Sequence, residues 1–230
     1  MLDVNGIDTF YGPSQAVHDV SFKVAARETV ALLGRNGAGK TTTLRSVMGL
    51  SPIARGSIHF EGADIARLPP HTIARFGLTL VPETRDPFVL LTVRENILLG
   101  YRKGSPFTLE RLIHLFPLLE ELLAKKGGEL SGGQQQMMVM ARGLATGPKL
   151  LLLDEPSQGL APIMVKAVVR VLNELKGTDL ALLLVEQNLQ MALDIADRVV
   201  VLENGAVADT MTSSEARADP QRLEEFLSVH

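Results

Sequence analysis

The sequence predicts an α/β fold in which a core of parallel strands is interrupted by a helical insertion, and three features predict it. Two continuous apolar runs, "KLLLLDEP" and "LALLLVEQN", end abruptly in polar residues, as parallel strands buried on both faces do. The segment between them, "GLAPIMVKAVVRVLNELKG", has apolar residues at helical spacing and reads as the crossover helix. Residues from about 92 to 146 are helix-rich and follow a region rich in strands.

Taken in order, residues 2 to 33 alternate short apolar runs ("AVHDVSFKV", "ETVALLG") with turn residues and read as strands. "GSIHFEG", residues 56 to 62, is a strand between glycines. From Thr72 the pattern becomes strand and helix: "LTLVPE", then "TVRENILLG", where Thr92 and Glu95 have capping-box spacing. Residues 107 to 126 predict helix in two pieces, with Pro117 ending or kinking the first. "GGELSGGQQQMMVM", residues 127 to 140, places a Ser-Gly-Gly turn before glutamines and an apolar run, the pattern of a helix N-terminus and so a natural anion site. Met137, Met138 and Met140 read as core filling, and Gln135 and Gln136 as structural. "DRVVVLENGAVADT" predicts a hairpin turning at Asn204-Gly205. Two short helices follow, one with a Thr212–Glu215 capping box and one with Asp219 as cap and Pro220 at the first helical position.

At 230 residues the chain suffices for one large domain. The hydrophobic fraction of 46% and charged fraction of 21% are ordinary for a globular protein, and a formal charge of -3 gives no bulk attraction to phosphodiesters or acidic membranes. Nucleic acid is therefore not expected as a main partner. The sequence has no cysteine, which removes disulfides and thiolate metal sites and fits a reducing compartment. The first residues, "MLDVNGIDTFYG", lack the regions of a signal peptide, and no apolar run approaches the roughly 18 residues that span a bilayer. The chain alone is expected to be soluble.

"GRNGAGKTT", residues 34 to 42, matches the full phosphate-loop pattern between a strand and a helix. The backbone from Gly34 through Arg35, Asn36, Gly37, Ala38 and Gly39 turns N–H groups toward phosphates; Lys40 sets a charge on them, and Thr41, followed by Thr42, offers a hydroxyl to Mg²⁺. This predicts a P-loop NTPase core. In "LLLLDEP", Asp154 is placed to hold Mg²⁺ or its water, and Glu155 to orient and deprotonate the water that attacks a γ phosphate. Open α/β sheets put such chemistry at the carboxyl ends of strands.

The order of phosphate loop, helical insertion, "LSGGQ" and "LLLLDEP" resembles the ATP-binding subunit of an ABC transporter over nearly the whole chain. The resemblance implies one domain over residues 1–230. Within it, 1–91 and 147–230 would form a RecA-like core with a mixed β-sheet and an antiparallel β subdomain, and 92–146 an inserted α-helical signature subdomain. It implies an ATPase coupled to transport, with ATP and Mg²⁺ as cofactors. Two subunits, alike or different, would dimerise head to tail so that Ser131, Gly132, Gly133 and Gln134 of each meet the ATP held by the other. The positive end of a helix dipole agrees with that role. Tyr11, in "FYG", matches the aromatic on which adenine stacks, and "SQGLAP", residues 157 to 162, the loop facing the opposite subunit, where Ala161 replaces a common aspartate.

Two departures narrow the likeness. Glu83 stands where most members have glutamine after "VP", and Gln187, in "LLVEQN", where most have a histidine. Glu83 joins Thr41 and Asp154 as a candidate near the metal, and Gln187 joins Lys40 and Glu155 as a candidate catalytic group, donating an amide hydrogen bond without becoming cationic. "VPE", "GLAP" and "VEQN" together resemble the ATPases of branched-chain amino acid importers, and more loosely those for urea and short amides. That family implies integral membrane permeases as partners, a solute-binding protein acting indirectly, and a place on the cytoplasmic face of the membrane. Other classes fit less well. A chromosome-organising ATPase needs a long coiled coil, but 90 residues separate Lys40 from Leu130. A translation factor usually carries two cassettes, and a GTPase an N-K-x-D motif. A scaffold ATPase for iron-sulfur assembly fits the length but not "GLAP" and "VEQN".

Overall fold

The computed structural model describes residues 1–227. Strands β1 (Leu2–Tyr11) and β2 (Ser14–Val24) form an antiparallel pair, and β3 (Thr29–Leu33) is buried throughout. The phosphate loop leads into α1 (Lys40–Val47). Then come β4 (Ile53–Phe60), β5 (Ala63–Asp64), α2 (Pro70–Arg75), β6 (Leu78–Val81), α3 (Val93–Gly100) and α4 (Leu109–Leu115). The second half holds α5 (Gly132–Ala145), β7 (Leu150–Asp154), α6 (Pro162–Leu175), β8 (Ala181–Glu186), α7 (Leu189–Ile195), β9 (Arg198–Glu203), β10 (Ala206–Thr212), α8 (Ser213–Ala218) and α9 (Pro220–Leu227).

The strands form two sheets. One is antiparallel in the order β2-β1-β4-β5; the other is mixed, β10-β9-β3-β8-β7-β6, with the β9–β10 hairpin as its antiparallel edge. β3, β6, β7, β8 and β9 are parallel, so the carboxyl ends of β3, β7 and β8 lie along one edge. Two local forecasts shift, and two short helices were not forecast. The strand around "GSIHFEG" begins earlier, at Ile53, because it pairs with β1 beyond the glycine. After Pro117, which cannot continue α4, the chain winds as a 3-10 turn, Pro117–Leu122. The short helices α2 and α7 had no strong periodicity to betray them, and α7 is fixed by the Asn188 side chain accepting from Met191 N.

The continuous apolar strands are explained by alternation between two buried faces. Leu151, Leu153, Leu182 and Leu184 join a cluster with Val93, Ile97, Met137, Met138, Met140, Val168 and Leu172. Leu150, Leu152, Leu183 and Val185 point to the opposite cluster, with Val30, Leu32, Leu44 and the inner face of the antiparallel sheet. A smaller cluster sets Leu33, Val199 and Val201 under α7, α8 and α9. Helices α3, α4 and α5 thus bury their apolar faces in the same cluster as β7, β8 and α6.

Leu151→Ala removes a fully buried side chain from that shared cluster. It should lower the unfolding free energy by about 2–5 kcal/mol, read as a reduced midpoint in urea with the slope unchanged.

Candidate functional site

The phosphate loop is held by close backbone approach. A methyl group on Gly34 would sit 2.3 Å from Leu202 O, and one on Gly39 2.8 Å from Ala16 O; both glycines also have positive φ. Only glycine meets both demands. The loop is further tied by Gly205 N donating to Ala38 O at 3.2 Å and His18 N to Gly205 O at 2.7 Å. The β9–β10 hairpin turn and β2 therefore brace it from outside. Lys40 opens α1 and is buried, with Nζ donating to Gly34 O at 2.8 Å and Arg35 O at 3.1 Å.

Beside the loop, β7 ends in Asp154, and the next residue turns sharply: Glu155 has a φ of 46°. A left-handed non-glycine residue costs of order 1–3 kcal/mol, and here the chain is held in it by Glu155 N donating to Val185 O at 2.9 Å. The turn sends two adjacent carboxylates to different partners. Asp154 Oδ1 accepts from Thr41 Oγ1 at 2.9 Å. Glu155 Oε1 lies 3.6 Å from Lys40 Nζ, and Oε2 accepts from Gln187 Nε2 at 2.5 Å. A cavity of about 510 Å³ opens over this edge, lined by Asn36, Lys40, Thr41, Glu83, Glu155 and Gln187 among others.

Burial pushes the Asp154 carboxyl up to about 6; the neighbouring charges of Glu155 and Glu83 add to this, and the Thr41 hydrogen bond and Lys40 oppose it. The Asp154 carboxylate and the Thr41 hydroxyl bonded to it are hard oxygen donors of the kind a divalent cation takes. Among the described residues no group of three or more His, Cys, Asp or Glu is arranged to enclose a metal. A cation beside Thr41 would thus take its remaining ligands from water and phosphate, as Mg²⁺ commonly does.

Tyr11 and the signature residues Ser131 to Gln134 lie apart from this cavity. Tyr11, at the end of β1, is half exposed, with its hydroxyl 3.2 Å from Ser51 Oγ; it does not line the cavity. Ser131 is the exposed N-cap of α5 and does not line it either. Its Oγ accepts from Gln134 N at 3.4 Å, and its own N–H donates to Gln134 Oε1 at 2.9 Å. The Gln134 carboxamide oxygen is thus taken up in the cap. Gly132 and Gly133 fill the first turn of α5.

Two residues escaped the sequence reading. Glu186, the last residue of β8, is buried and accepts backbone N–H groups from Ser157, Gln187 and Asn188 at 3.0–3.1 Å. Burial raises its pKa, against the pull of these bonds. It joins the loop after Glu155 to the loop carrying Gln187, and an acid ending an otherwise apolar strand was the available signal. Arg85, in the loop after β6, reaches both Gln136 and the carbonyl of Gln158; nothing in its spacing marked it.

The proton on Asp154 has a consequence for stability. Its folded pKa, about 6, lies above the ordinary 3.8, so the folded state retains a proton that the unfolded chain releases. Stability from this group is present below pH 4 and lost as pH rises through 6. Asp154→Asn mimics the neutral form. In nucleotide-free protein its Tm relative to wild type should be higher at pH 8 than at pH 5, by about 3 °C or more, measured by calorimetry.

The family model for ABC transporters matches residues 17–158. The chain is 41% identical over 231 residues to the high-affinity branched-chain amino acid transport ATP-binding protein BraG of Pseudomonas aeruginosa, covering 99% of each chain. It is 34% identical to the lipopolysaccharide export system ATP-binding protein LptB of Acidithiobacillus ferridurans, covering 99% of this chain and 96% of that one. Its fold superposes with a TM-score of 0.85 on the crystal structure of the ADP conformation of an ATP-binding cassette of an ABC transporter, at 27% identity and with 100% and 99% of the two chains covered. A complete phosphate loop, a Ser-capped signature helix and this similarity over the whole length agree: the chain is an ATPase of the ABC transporter family, similar to those of branched-chain amino acid transport systems.

Proposed function

We propose that this chain hydrolyses ATP to energise an importer of branched-chain amino acids or a related small solute. The observation that carries the catalytic part is the contact of Glu155 with both Lys40 and Gln187 at the mouth of the phosphate loop. The import assignment rests on the higher identity to BraG than to LptB and on the "VPE", "GLAP" and "VEQN" segments. Uptake of urea or a short amide is the nearest alternative among importers. Lipopolysaccharide export is a second reading, favoured by the match to LptB.

In this reading the N–H groups from Gly34 to Thr42 cradle the phosphates, and Lys40 moves from the loop carbonyls to the β and γ oxygens. The half-exposed ring of Tyr11 offers a face to adenine. Glu155, fixed through one oxygen by Gln187, uses its carboxylate to take the proton of the water as that water's oxygen bonds to the γ phosphorus and ADP leaves. Thr41, Asp154 and Glu83 would hold Mg²⁺, whose charge offsets that of the phosphates. Positioning and electrostatics supply most of the acceleration. Gln187, unlike a histidine, stays neutral across the physiological range, so it orients Glu155 and donates to phosphate without adding charge.

The pairing of two such chains brings Ser131 and the first turn of α5 against the ATP held by the partner, which explains why Ser131 stands exposed and outside its own chain's cavity. Exposed Phe88, Val89, Leu90, Leu98, Leu99 and Tyr101 cluster in sequence after Glu83 and on α3. They form the apolar surface on which membrane subunits dock, and closure of the pair pulls on those subunits. No helix among the described residues is long and apolar enough to cross a membrane.

Glu155→Gln should retain ATP binding and lower turnover by about 10²–10⁴-fold; near wild-type hydrolysis would remove Glu155 as the base. Uptake of labelled leucine, in vesicles holding this ATPase with its permeases and binding protein, tests the solute. Extraction of lipopolysaccharide by the same assembly would favour export instead.

A further inference from the structure

The loop after β6 is bound along α5 at both ends. At the far end of that helix, Arg142 Nη2 donates to Asp86 O at 2.9 Å and Arg85 O at 3.3 Å, while its guanidinium stacks over Phe88 at 5.1 Å. At the near end, Arg85 Nε donates to Gln136 Oε1 at 3.1 Å. Asn96 of α3 holds the outer part, accepting from Phe88 N at 2.9 Å and donating to Phe88 O at 3.0 Å. Loop and helix are thereby one body, the body that bears Ser131.

Arg85 also reaches out of that body. Its Nη2 donates to Gln158 O at 2.6 Å, in the loop that follows Glu155 and is otherwise pinned by Glu186 through Ser157 N. The guanidinium lies so close to the helix end that a methyl group on Gly132 would sit 2.6 Å from Nη1. Its residue and the next, Asp86, both hold positive φ, 64° and 42°, so the backbone is bent to aim this side chain. Gln136 is buried, and its Nε2 has no hydrogen-bond partner among the described residues. Its carboxamide is therefore oriented through the oxygen that Arg85 engages, rather than by a network of its own.

We infer that Arg85 is a positioning residue: its fork sets the spacing between the Ser131 end of α5 and the Ser157–Gly159 loop of the same chain. A planar guanidinium can bridge the two acceptors in a fixed geometry, which an ammonium cannot reproduce. The inference rests on the proposed pairing of two chains around ATP, in which the Ser131 end of α5 faces the partner subunit, and on the resemblance by which the loop of residues 157 to 162 faces it as well. A pair closing on ATP must then meet two surfaces whose separation is set in advance by Arg85. The chain's own phosphate loop has no bond to it.

The test separates nucleotide affinity from pairing. In full-length protein, Arg85→Ala should leave the affinity of the monomer for a fluorescent ATP analogue within about twofold, yet lower kcat and, in the Glu155→Gln background, ATP-driven dimerisation by about tenfold or more, since misplacement near 1 Å can cost far more than that. Arg85→Lys should resemble the alanine variant. Full recovery by lysine would mean that charge, not the fork, matters, and would overturn the inference. Gly132→Ala provides a second route: it should impair dimerisation in the presence of Arg85 and much less in its absence, whereas equal impairment in both backgrounds would count against contact between them. Ser131→Arg serves as a control in the same dimerisation assay. If it pairs normally, the capping role of Ser131 fails; if it blocks pairing while Arg85→Ala does not, only the role of Arg85 fails.

Discussion

A buried lysine ammonium held among carboxylates at the edge of a parallel sheet is the constraint on which this site depends. Lys40, Asp154 and Glu155 are each less than a tenth exposed, and charge at such depth is tolerated only when paired or hydrogen-bonded. Lys40 finds two carbonyls and Glu155, and Asp154 finds Thr41. The positive charge nevertheless does not satisfy both acids, which is why burial leaves Asp154 so readily protonated. The proposed phosphate beside the lysine and cation beside the acids would offset this imbalance. The backbone contributes as well, since the left-handed turn at Glu155 parts two neighbouring carboxylates that would otherwise compete for the same space.

The surrounding architecture explains how that site is held rigid. Strands β3, β7 and β8 run parallel and deliver the phosphate loop, the acid pair and Gln187 to one edge. Each strand is covered on both faces by aliphatic side chains, so its end has little freedom to shift. Glu186 adds a crosslink where the loops after β7 and β8 leave the sheet side by side: three backbone donors converge on its carboxylate. Such convergence offsets part of the cost of burying an acid. The signature helix is treated differently. Its apolar side is deep in the shared core while its serine tip is left in solvent, as the proposed pairing of two chains requires.

Much of this was legible along the chain because the relevant signals are local. A glycine-rich loop between strand and helix, an apolar run closed by paired acids, and Ser131 before a helix each depend on a few consecutive residues. Capping boxes at Thr92 and Thr212 were visible for the same reason and occur where their spacing requires. The methionines of α5 are buried, as their place in an apolar run suggested. Less visible were α2 and α7, whose short, weakly periodic stretches obtain their helicity from a proline start or a single capping side chain. The 3-10 geometry after Pro117 was not legible either, since a helical pattern along the chain does not distinguish it from an α-helix.

By itself the sequence determined which chemical groups are present and which of them travel together on one turn or strand end, because those relations are set by covalent spacing and by the periods of helix and strand. Tertiary structure alone decided the meetings between distant segments. Gln187 reaches Glu155 across 32 residues, Thr41 reaches Asp154 across 113, and Arg85 spans to both Gln136 and Gln158. The β9–β10 turn braces a loop that precedes it by more than half the chain. Such contacts follow from strand order and from the packing of helices on the sheet, which bring remote residues within hydrogen-bond distance and leave no trace in their spacing.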